Sequence, residues 1–138
     1  MHPDPDRLRE IPLFEGIGTD QLEQVASWFD VEEHPAGTRL TRAGASGYAF
    51  FILEEGHARV EVDGAAVNEL RAGDVFGEMA FLLEQPRSFD VDAATSGTRV
   101  LSLSEGALRT MIAEDAALAA KLLLNVSKLL CVKLLRSG

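Results

Sequence analysis

The chain has 138 residues, a length that fits one domain with its own core, and its 46% apolar and 25% charged residues are the proportions of an ordinary soluble fold. With 22 acidic residues against 13 basic ones the net charge is −9, which excludes a nonspecific nucleic-acid surface and requires any anion site to be locally positive. A single cysteine, Cys131, excludes an internal disulfide and fits a reducing, cytoplasmic setting. The start, Met1 to Asp6, is acidic and Pro-rich, unlike a signal peptide. No membrane span is expected, because the most apolar run, Leu118 to Leu135, is interrupted by Lys121, Asn125, Ser127, Lys128 and Lys133.

In chain order, Leu13 to Ile17 reads as an apolar turn. Thr19 then offers a cap for a first helix reaching about Phe29, with Leu22, Val25, Ala26 and Phe29 at helical spacing. From Val31 the pattern becomes short runs punctuated by Gly and Pro. Strands are expected at Val31–His34, Arg39–Thr41, Phe50–Glu54, Ala58–Val62, Ala66–Leu70, Asp74–Phe76, Phe89–Ala94 and Arg99–Ser102. Asp63-Gly64 is the strongest hairpin signal among them. No gap has room for a crossover helix, so the sheet is antiparallel: a barrel or jelly roll of eight strands. Ser104 can cap a helix to about Glu114, and Asp115 a longer one to about Arg136. On that last helix Leu118, Leu122, Val126 and Leu129 form one apolar stripe, and Leu123, Leu130 and Leu134 a second beside it. One barrel needs only one such face, so the second wants a partner: another subunit or an effector domain. Trp28, Phe50 and Phe51 read as core, and Tyr48 as a surface aromatic.

The chemistry concentrates in Phe76-Gly77-Glu78-Met79-Ala80-Phe81-Leu82-Leu83-Glu84-Gln85-Pro86-Arg87-Ser88. Gly77 lets backbone N–H groups approach a ligand, Glu78 can accept from a sugar hydroxyl, and Arg87 offers a charged fork of donors matched to phosphate oxygens. Together these suit a small phosphorylated ribose. Upstream, Gly44 to Leu53, Glu55-Gly56 and Ala72-Gly73-Asp74 frame the motif. With these surroundings the chain, from about Leu13 to Leu135, resembles the cyclic nucleotide-binding domain family, of the kind that forms the effector domain of catabolite activator proteins.

That resemblance implies a single domain over residues 1–138 with a flattened antiparallel barrel and one helix before it. A short helix at Glu78–Leu83 would turn its N–H groups toward the phosphate, and two helices would follow the barrel. It implies cyclic AMP or cyclic GMP as ligand, Glu78 on the ribose 2′-hydroxyl, Gly77, Met79 and Ala80 lining the ribose-phosphate, Arg87 on the cyclic phosphate and Ser88 beside it. The final helix would close over the base, and its movement would be the signal. Asn125, Ser127 and Lys128 are the polar residues on that helix that could face the base. The family usually has a small residue two positions after the Arg; here it is Phe89, followed by Asp90. The alternative is therefore a ligand-independent assembly module that keeps the fold.

Nothing points to catalysis, a metal or a tightly held cofactor. His2, His34 and His57 lack metal-ligand spacing, no Ser sits in a nucleophile motif, and no pair of acids stands at a working offset.

Overall fold

In the computed structural model, which describes residues 1–137, helices flank a pair of antiparallel sheets. The chain starts with a short helix α1 (Pro5–Leu8) and a 3-10 turn at Pro12–Phe14, then α2 (Thr19–Ala26). Strands β1 (Asp30–His34), β2 (Arg39–Thr41), β3 (Ala49–Glu55), β4 (Ala58–Val62), β5 (Ala65–Leu70) and β6 (Val75–Phe76) follow. The short helix α3 (Glu78–Leu83) precedes β7 (Asp90–Ala93) and β8 (Thr98–Ser104), and the chain finishes with α4 (Glu105–Glu114) and α5 (Ala116–Ser137). One sheet has the order β1-β8-β3-β6 and the other β2-β7-β4-β5. Among the described residues no ladder joins the two, so the strands take the two-sheet form of the jelly-roll expectation.

Two departures lie at the N-terminal end. The sequence pointed to one helix there, but α1 precedes it, started by Asp4, whose side chain accepts from the Asp6 N–H, and by Pro5 in the first turn. Leu8 and Ile11 are buried in the main core, so packing begins before Leu13. Thr19 is not the cap of α2 but its first helical residue; Gly18 holds the cap position. The helix also stops at Ala26 rather than Phe29, because the Trp28 and Phe29 N–H groups bond the Val25 and Ala26 carbonyls in a tight turn that drives both rings into the core.

Alternation along the central strands separates two apolar layers. Phe50 and Ile52 on β3, with Leu101 and Leu103 on β8, face the helices. Leu53 and Val100 point the other way and meet Ala58, Leu70 and Val91 of the second sheet. Both strands are buried on both faces, and β3 accordingly carries the unbroken apolar run Ala49–Leu53. Asp63 and Gly64 adopt φ of +52° and +82°, the two left-handed residues a tight β4–β5 hairpin requires.

Ser104 caps α4 by accepting from the Ala107 N–H at 3.1 Å, and Asp115 accepts from the Leu118 N–H at 3.1 Å at the start of α5. The first apolar stripe of α5 is buried through Leu118, Leu122 and Val126; of the second, Leu123 and Leu130 are half-buried, Leu130 against the main core, and Leu134 is exposed, as are Leu124, Val132 and Leu135. Among the described residues no helix is long and apolar enough to cross a membrane.

Between the buried leucines, Asn125 donates through Nδ2 to the carbonyls of Leu13 (2.8 Å) and Glu15 (3.0 Å). It thereby pins the middle of α5 to the N-terminal turn, rather than facing a ligand. Asn125→Ala leaves two carbonyls short of a donor and is expected to cost about 2 kcal/mol. Thermal unfolding should register this as a fall in Tm of roughly 6–10 °C at this chain length.

Candidate functional site

Strand β6 pairs with β3 through Phe76↔Phe51 and Val75↔Ile52, and this ladder delivers the chain to Gly77. Gly77 has φ +76° and turns the backbone sharply into α3. The helix is anchored by Phe81, which is buried and packs edge-on against Phe50 at 5.3 Å. Beyond it, the Arg87 backbone is clamped to the loop before β3. Its N–H donates to the Ala45 carbonyl (2.8 Å), and its carbonyl accepts from the Gly44 N–H (2.7 Å). Gly47 completes the clamp, since a Cβ there would stand 2.9 Å from the Ala80 carbonyl carbon.

Held this way, the Arg87 side chain runs inward and is only 9% exposed. Its Nη1 donates to the Gly77 carbonyl (3.2 Å) and its Nη2 to the Ala49 carbonyl (2.6 Å). The guanidinium lies 5.4 Å from the centre of the Phe51 ring, which in turn stacks on Phe76 at 5.2 Å. Burial pulls its pKa below the ordinary guanidinium value, with nearby Glu78 opposing, and it stays a cation. Among the described residues no carboxylate comes within ion-pair distance of it. A desolvated charge held only by neutral dipoles is incompletely compensated.

Glu78, first residue of α3, is 4% exposed. Its Oε1 accepts from Lys133 Nζ at 2.5 Å, and the same ammonium donates to the Val75 carbonyl at 2.6 Å. Lys133 reaches in from the distal half of α5. Thus Gly77, Glu78 and Arg87 converge at one place: Gly77 touches Arg87 directly, and Glu78 bears on it through its charge.

The remaining expected site residues sit further out. Met79 is 56% exposed, Ala80 half-buried under Gly47, and Ser88 exposed at the rim. Phe89 is 45% exposed, so its ring does not fill the space beside Arg87. Asp90 is tied elsewhere, accepting from the Ala43 N–H (2.8 Å) and lying 3.4 Å from Arg39 Nη1. On α5, Ser127 donates to the Leu123 carbonyl one turn back and Lys128 is exposed, so neither these nor Asn125 meets the cassette. Lys133 does, and sequence reasoning passed it over. Four cations lie along α5 and no spacing rule separates them; only the position of a buried Glu78 selects one. Phe51 packs against the second apolar layer, as its sequence implies, and its ring is also the floor under the guanidinium. An open cleft lined by Ala66, Asn68, Glu69, Arg71, Asp74 and Arg136 lies beside the β5–β6 turn, apart from the cassette residues. Among the described residues no His, Cys, Asp and Glu cluster could hold a metal.

Comparison with known proteins identifies the family of the chain. Residues 31–115 match the family described as the cyclic nucleotide-binding domain. Among curated relatives, the cAMP-dependent protein kinase regulatory subunit of Aspergillus fumigatus is 37% identical over 64% of this chain and 22% of its own length. Isozyme 1 of the cGMP-dependent protein kinase of Drosophila melanogaster is 28% identical over 83% of this chain and 16% of its own. The chain therefore spans less than a quarter of either relative. A crystal structure of a cyclic nucleotide-binding domain from Methylobacillus flagellatus superposes with a TM-score of 0.85 at 23% identity, over 96% of this chain and 76% of that one, a likeness of fold.

Proposed function

This chain belongs to the cyclic nucleotide-binding domain family, and we propose that it is a regulatory module that binds cyclic AMP or cyclic GMP at Gly77–Ser88 and signals through α5. In this reading Arg87 pairs with the cyclic phosphate, Glu78 accepts from the ribose 2′-hydroxyl, the backbone from Gly77 through Met79 and Ala80 lines the ribose-phosphate, and Ser88 adds a donor at the rim. The domain does no chemistry on its ligand.

One observation carries the proposal: Arg87 is buried with two carbonyls and a ring for company and, among the described residues, no carboxylate at ion-pair distance. A cyclic phosphate is a monoanion suited to complete it, and the five N–H donors of a guanidinium outnumber the two carbonyls that Arg87 serves. The outward Phe89 and the tied Asp90 support the same reading, since neither opposes an anion at Arg87. The exposed Leu124, Val132, Leu134 and Leu135 give α5 an apolar face suited to a second copy or an effector domain.

Calorimetric titration tests the proposal directly. Micromolar binding of one nucleotide, about −8 kcal/mol, is expected. Silence at millimolar cyclic AMP and cyclic GMP would sink it and leave the ligand-independent assembly module, with α5 as its working surface.

A further inference from the structure

One side of α5 is accounted for by the core, which takes Leu118, Leu122 and Val126. The opposite side is not. Leu124, Cys131 and Leu135 follow one another at intervals of seven and four residues, which sets them in one row along the helix, and all three are exposed. Lys121 and Lys128, again seven apart, form a parallel row at its flank, continued four residues later by the exposed Val132. Among the described residues no carboxylate lies within ion-pair distance of Lys121, Lys128 or Arg136.

Charge selects what can cover this side. Over its 22 residues α5 carries four cations, Lys121, Lys128, Lys133 and Arg136, and no acid. The acids just before it are engaged, Glu114 by Trp28 Nε1 (3.1 Å) and Asp115 by the Leu118 N–H. Laid antiparallel, two copies of α5 bring one lysine row beside the other; laid parallel, each lysine row meets a helix that has no carboxylate to answer it. The N-terminal third of a second copy fits no better. Residues 1–34 hold nine of the 22 acids, but their large apolar side chains, Leu8, Leu13, Phe14, Leu22 and Trp28, are buried in the core of that same copy. An anionic lipid surface is opposed by the rest of the molecule, where all 22 acids face nine bases. The three outward cations also fall short of the roughly four to eight that such a surface takes.

We propose that this side of α5 docks an acidic amphipathic helix of another polypeptide. The apolar row of such a helix covers Leu124, Cys131 and Leu135, and carboxylates along its edge reach Lys121 and Lys128. The apolar contact holds the partner, while the exposed charges choose it and are screened by salt. The choice takes up the α5 surface of the reading above and needs nothing from the cassette, so it stands or falls apart from nucleotide binding.

The test uses the full chain without nucleotide. The probe is a labelled peptide of three heptads, with leucine at the first and fourth positions and glutamate at the fifth and seventh, beside a second peptide with lysine for glutamate. Fluorescence anisotropy should give the glutamate peptide a Kd on the order of 10 μM, weakening with salt, and the lysine peptide at least about tenfold weaker binding. Lys121→Glu with Lys128→Glu should reverse that order, and Leu124→Ser should weaken the glutamate peptide about tenfold; circular dichroism should not change, since all three positions are exposed. Lys121→Gln with Lys128→Gln is the milder form and should bring the two peptides within about threefold of each other. Sedimentation should show a monomer at concentrations on the order of 100 μM. A preference that the charge reversal leaves unchanged, or no peptide bound at all, overturns the proposal. A dimer that Leu124→Ser disperses gives the face to a second copy and overturns it too, as does binding to phosphatidylserine vesicles that the charge reversal removes.

Discussion

Arg87→Ala is expected to abolish nucleotide binding at ordinary concentrations while leaving the domain folded. Truncating one member of a buried charge pair costs about 2–5 kcal/mol, which is roughly 30- to 4,000-fold in Kd. The fold should tolerate the change because the side chain of Arg87 is not part of either apolar layer. Its loss also relieves a desolvated cation that lacks a carboxylate partner, and this offsets the two carbonyls left behind. Unfolding should therefore shift by no more than about 1–2 kcal/mol. Arg87→Lys separates charge from shape: a point charge cannot bridge the Gly77 and Ala49 carbonyls as the planar fork does, so binding should be intermediate. If Arg87→Ala binds within threefold of the wild type, the phosphate is held elsewhere.

Gly77→Ala should damage the site from its other side. At φ +76° an alanine costs about 1–2 kcal/mol in backbone strain. Its Cβ would also lie 2.5 Å from Arg87 Nη1, a distance no real contact reaches, so the guanidinium must leave the Gly77 carbonyl. Gly64→Ala is the matched control. Gly64 has φ +82° with nothing within 4 Å of the added carbon, so it carries the strain without the collision. Gly77→Ala should lose at least as much stability as Gly64→Ala, but only Gly77→Ala should weaken nucleotide binding, by about tenfold or more. Equal affinities for the two would mean that the position of Arg87 is not set in advance by its neighbours.

Much of the fold is legible in the chain because its signals are local. Alternation, Gly and Pro punctuation and cap residues place the strands within two residues of where they lie, and Ser104 and Asp115 start the helices that their side chains cap. The first helix is misjudged at both ends for a reason that is not local. Trp28 and Phe29 continue the helical spacing but leave the helix because the core takes their rings. In the site, Gly77, Glu78 and Arg87 could be picked out because their residue types at that spacing suit a ribose-phosphate. Lys133 could not, since it lies 55 residues from Glu78.

The sequence by itself determined the mainly-β antiparallel class and the family, and singled out Gly77, Glu78 and Arg87, because short-range patterning and side-chain chemistry are written along the chain. Only the tertiary structure decided how those residues are compensated. It leaves Phe89 exposed, ties Asp90 to the loop before β3, withdraws Asn125 to the N-terminal turn, and gives Glu78 to Lys133 while Arg87, among the described residues, bonds only carbonyls. Whether a charge is satisfied depends on what the fold places within about 3 Å of it, and no spacing along the chain encodes that distance.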